Sequence, residues 1–128
     1  MKAPLLLTAA LLGAAPALAQ SVTDGSDSAV GAEDAKAVFA LIGKGMKDPA
    51  SALYAQLRQG RSGALCGAVD ATNRMGAHTG PRPFVADLSM GFGGILPDAP
   101  ELRNPSSTAR YQAMQRVLDL HRANCAAE

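Results

Sequence analysis

The chain has 128 residues, with 12 Lys and Arg against 11 Asp and Glu, 48% hydrophobic residues and no tryptophan. A surface built to displace counterions from phosphate carries a basic excess or a block of like charge, and this sequence has neither, so no nucleic-acid partner is expected. The length suits one small domain, and a core made mainly of Ala, Val, Leu, Ile and Met buries little area per side chain.

In chain order, the opening MKAPLLLTAALLGAAPALAQ reads as a signal peptide spanning residues 1–19. Lys2 supplies the positive start, residues 5–12 the apolar run, and Ala17-Leu18-Ala19 the small-x-small cleavage site. The run is short for a bilayer span of about 20 residues, and Pro4, Gly13 and Pro16 interrupt it. No cysteine follows the site and no second apolar run exists, so no lipid anchor and no membrane span after cleavage are expected, and the expected location is periplasmic or secreted. Cleavage would leave 109 residues with 11 basic side chains against 11 acidic ones.

Residues 20–28, QSVTDGSDS, read as a flexible leader ending in helix-capping Asp27 and Ser28, followed by a single domain over residues 29–128. Ala35, Val38, Phe39, Ile42 and Met46 recur at helical spacing, and Asp48-Pro49 stops that helix. Leu53, Ala55 and Leu57 alternate with Tyr54, Gln56 and Arg58, as in a strand. A second strand over residues 64–71 alternates Leu65, Gly67 and Val69 with Cys66, Ala68 and Asp70. Asn73 to Gly76 form a turn, and residues 82–88 a third strand, with Pro81 and Pro83 placing its start at a sheet edge. Residues 89–105 read as loop. Ser106, Ser107 or Thr108 caps a last helix whose face carries Tyr111, Met114, Val117, Leu118, His121 and Cys125. The expected fold is α+β in the order α-β-β-β-α, a three-stranded antiparallel sheet covered on one face by an N-terminal and a C-terminal helix.

Lys47-Asp48-Pro49-x-Ser51-Ala52, then Cys66-Gly67-x-Val69, then Asn73, Gly76, Gly80 and Arg82-Pro83-Phe84 resemble a set of small uncharacterised secreted or periplasmic bacterial proteins. Their core reads approximately K-D-P-x-S-A-x-F followed by C-G-x-V-N-A-K-N-x-x-G-G-Y-x-G-x-x-x-F. The resemblance covers residues 47–84 and implies no activity. The chain departs from the pattern at Tyr54 (Phe there), Asp70 (Asn), Ala77 (Gly) and His78 (Tyr). An aromatic at position 78 implies a packing or surface role, so His78 replaces a ring rather than a catalytic base.

The residue types present bear on three chemistries. Ser, His and Asp are present without a G-x-S-x-G elbow, leaving His121 as the remaining base for a hydrolase. A zinc site from Cys66, His78, His121 and Cys125 is conceivable, but only His121 and Cys125 form a spaced pair, and an oxidising compartment favours a disulfide. Cys66 has no near cysteine partner for redox catalysis, and the methionines are too scattered to handle copper. A Cys66–Cys125 disulfide, no metal and no cofactor are therefore expected. The expected function is a non-enzymatic binding or interaction module for an unknown protein or small molecule, with Arg74, His78, Arg82 and Phe92 as the candidate surface. The alternative is a small hydrolase or metal-binding periplasmic protein using His121 and His78.

Overall fold

The computed structural model describes residues 21–127, and the signal-peptide reading of residues 1–19 lies outside the described residues. The elements are β1 (Ser21–Val22), α1 (Asp27–Val30), α2 (Ala32–Gly43), a 3₁₀ turn (Pro49–Ser51), β2 (Leu53–Gln59), β3 (Leu65–Thr72), β4 (His78–Asp87), β5 (Phe92–Ile95), α3 (Ala99–Arg103) and α4 (Thr108–Asn124). Among the described residues the fold is α+β, but the sheet has five strands in the order β1-β2-β3-β4-β5, not three, and there are four α-helices, not two. All neighbours pair antiparallel except β1 and β2, which are parallel.

The two long helices do not share a face. Leu65 and Val69 of β3, with Phe84 and Ala86 of β4, pack with Val30, Val38 and Ile42 of the N-terminal helices. Cys66 of β3 and Val85 of β4 point the other way and pack with Val117 and Cys125 at α4. The period of two along each strand therefore feeds two separate cores, one on each side of the sheet.

The chain expected to be a leader is structured from Ser21. Besides the short parallel pairing of β1, Asp24 Oδ2 accepts the Gln56 N–H at 2.9 Å and Ser26 Oγ accepts the Leu57 N–H at 2.9 Å. These bonds hold a bulge in β2. Ala55 pairs with Ala68 but Arg58 pairs with Cys66, so β2 carries one extra residue, and Gln56 sits at φ 58°. The bulge resets the alternation expected for this strand: Tyr54 and Leu57, three apart, both enter the core. The expected first helix is likewise divided, because Gly31 at φ 90° separates α1 from α2 and frees α1 to pack on β2.

Residues 89–105 contain β5 and α3 instead of an open loop. The Phe92-Gly93-Gly94-Ile95 sequence looks unsuited to a strand, but a Cβ at Gly93 would lie 2.5 Å from the Val85 carbonyl oxygen. Only glycine lets β5 approach β4 that closely. α3 starts at Asp98, whose side chain accepts from the Glu101 N–H at 2.8 Å, with Pro100 in the first turn where a missing N–H costs nothing. The prolines of β4 are accommodated as expected at an edge: β5 pairs only with Phe84 to Asp87, and beyond it Pro83 uses just its carbonyl, accepting from the Leu96 N–H.

Tyr54 is fully buried, tilted on Phe39 (ring centroids 4.3 Å apart) and edge-on to Phe84 (5.8 Å). Its hydroxyl has no hydrogen-bond partner among the described residues, and burial pushes its pKa up to about 12. Removing an unpartnered buried hydroxyl while keeping the ring should stabilise the fold, so Tyr54→Phe should raise the unfolding free energy by about 1 kcal/mol in urea titrations. A loss of stability would show that the hydroxyl is bonded after all.

Candidate functional site

The hairpin between β3 and β4 accounts for much of the Cys66–Phe84 stretch by turn geometry alone. Asn73 Oδ1 accepts the N–H groups of Met75 (2.9 Å) and Ala77 (3.1 Å), and Gly76 and Gly80 adopt φ of 79° and 93°. His78 Nδ1 lies 3.2 Å from Asp70 Oδ1, which also accepts the Gly80 N–H at 3.1 Å. Positions 70 and 78 thus face each other across the hairpin. Arg74 is exposed at its tip.

Cys66 and Cys125 are joined in a disulfide, with Cα atoms 5.7 Å apart. This removes both sulfurs from the zinc set considered for the sequence. Among the described residues no group of three His, Cys, Asp or Glu side chains is placed to hold a metal ion. His121 lines a shallow groove beside the disulfide with Arg58, Pro81 and Pro83, and His78 is not among the residues lining it. Burial, and secondarily the Arg58 charge, hold the His121 pKa below its ordinary value. The structure therefore does not bring the two histidines of the hydrolase or metal alternative into one pocket.

Arg82 and Phe92 do meet, in a cleft of about 580 Å³ along the outer edge of β5. One wall comes from the end of α2 (Leu41, Ile42, Lys44), the other from α4 (Arg110, Met114, Val117). The floor is β5 itself. Arg82 Nη2 donates to the Leu96 carbonyl and to Glu101 Oε1 at 3.2 Å, tying the segment after β5 to β4. Phe92 carries the Arg116 guanidinium 3.9 Å above its ring centre. Glycine also shapes the α4 wall, because a Cβ at Gly94 would approach Val117 Cγ2 to 3.1 Å. The candidate surface thus divides, with Arg82 and Phe92 in the cleft and Arg74 and His78 at the hairpin, outside its lining.

The cleft has three cationic side chains, Lys44, Arg82 and Arg110, against the single carboxylate of Glu101. Arg82 is paired with Glu101, while Lys44 and Arg110 form no ion pair among the described residues. Lys44, at the C-terminal end of α2, is an ordinary helix-end cation, Arg110 is one exposed charge in the first turn of α4, and their approach depends on the placement of two helices remote in sequence. Comparison with family models, with curated proteins and with solved structures finds no match to this chain.

Proposed function

We propose that this protein is a non-enzymatic binding module of the periplasm or the extracellular space, with its ligand seated in the cleft beside β5. The observation that carries this reading is the cleft itself: a 580 Å³ concavity whose walls combine apolar side chains with a few convergent charged groups. Its base is the sheet edge at β5, and the disulfide anchors the distal end of the α4 wall to that sheet. Export is supported by the sequence of residues 1–19 and agrees with a disulfide, which persists in oxidising compartments. No helix among the described residues is long and apolar enough to cross a membrane.

The test is a fragment screen followed by amide chemical shifts of the isotopically labelled protein. Hits should cluster on residues 91–95 together with Gly45 and Ala113. Hits confined to the His121 groove, or turnover of an ester or peptide substrate that disappears in His121→Gln, would replace the binding reading with the hydrolase one.

A further inference from the structure

We infer that the cleft takes an extended acidic peptide, which adds to the sheet as a strand on the free edge of β5. The inference rests on the binding-module reading and specifies its ligand. The Leu96 N–H donates to Pro83 of β4, and backbone groups alternate sides along a strand. Gly94 and Phe92 therefore face β4, and Gly93 and Ile95 turn their N–H and C=O groups outward, into the cleft. Both residues are partly exposed, and no other described strand pairs with this edge. Two outward residues offer two donors and two acceptors in the alternating order that an added strand matches, an array that a small anion would leave half unused.

The walls then read the side chains. Successive residues of an added strand point to opposite faces. One set would meet Leu41 and Ile42 of α2 with Lys44 just past its end, and the other Ala113, Met114 and Arg110 of α4. Each wall joins an apolar surface to one cation that has no carboxylate partner among the described residues, so each favours an apolar side chain next to an Asp or Glu. β5 spans about 13 Å at strand rise, which limits the paired segment to roughly four or five residues. A second copy of this chain fits less well, because pairing two β5 edges would bring the Lys44 and Arg110 charges of both copies together.

The test is selection of ten-residue peptides from a displayed random library against the disulfide-bonded protein, followed by binding of the synthetic winners. The winners should be net acidic with alternating apolar positions and should slow amide exchange at Gly93 and Ile95. Methylating alternate peptide nitrogens should abolish binding, and the Lys44→Glu/Arg110→Glu variant, changed only at exposed or rim positions, should weaken it at least tenfold. Winners that bind equally well after N-methylation, or that are neutral or basic, would overturn the strand-addition inference. If fragments still map to residues 91–95, the binding-module reading stands without it, and if neither fragments nor peptides perturb the cleft, both fall. Concentration-dependent dimerisation with shifts confined to β5 would assign the edge to a second copy instead.

Discussion

Replacing Cys66 and Cys125 together by alanine should lower the unfolding free energy by about 4 kcal/mol, the chain-entropy value for releasing a loop of about 60 residues. For a domain of this size that corresponds to a melting temperature lower by roughly 15–20 °C. The effect is large because the loop that the bridge closes is long. α4 contacts the sheet through a small cluster, Ala64, Cys66, Val85, Val117 and Cys125, whose side chains are mostly small. Without the covalent tie, that cluster and the hydrogen bonds between the end of α4 and the β2–β3 turn would hold the helix against the sheet, and the loss is a large fraction of the stability of an ordinary small domain. Calorimetry of the double variant checks the size of the effect, and non-reducing intact mass checks the state of the wild type, two hydrogens below its reduced form. A double variant melting within a few degrees of wild type would show that α4 packing needs no bridge.

The second large effect belongs to Asn124, the one buried polar residue in the described chain, with 4% of its surface exposed. Its Oδ1 accepts the N–H groups of Ser62 (2.8 Å) and Ala64 (3.1 Å), and its Nδ2 donates to the Leu120 carbonyl at 3.0 Å. The turn between β2 and β3 is thus built on a side chain 60 and 62 residues away from the two amides it accepts. Arg58 of β2 donates to the Cys125 carbonyl at 2.9 Å and Arg61 to those of Arg122 and Ala126, so open carbonyls at the end of α4 find their donors on β2 and the turn that follows it. Asn124→Ala would leave two backbone N–H groups without their acceptor, one of them on fully buried Ala64, at a cost of about 2–4 kcal/mol. Asn124→Asp keeps the acceptor oxygen and should cost less than alanine. Urea unfolding of both variants makes the comparison; equal losses would mean that Oδ1 does not organise the turn, and a loss under 1 kcal/mol for alanine would mean that the turn stands without it.

Local pattern carried a good part of this fold. The alternation in residues 64–71 marks β3, the apolar stripe from Ala35 to Ile42 marks α2, and of the three candidate caps Ser106, Ser107 and Thr108 it is Ser107, whose Oγ accepts the Arg110 N–H at 3.0 Å, that caps α4. The disulfide was legible for a different reason: with two cysteines only one pairing exists within the chain, and it formed between the two elements expected to carry them. Each of these features depends on neighbours in sequence or on counting, and both survive without knowledge of the third dimension.

What the tertiary structure alone decided is where non-local contacts override local preference. β5 is a strand because β4 offers it a partner, although Gly93 and Gly94 have little intrinsic tendency to extend. The bulge at Gln56, which turns Tyr54 and Leu57 into the same core, is held by Asp24 and Ser26 from a stretch whose composition reads as a leader. The side of the sheet on which each helix packs could not be read either, since an amphipathic helix specifies that it must cover a face but not which one. The cleft follows from that choice: with α2 and α4 on opposite faces, the β5 edge lies between their walls, and Lys44 and Arg110, distant in sequence, come to line one concavity.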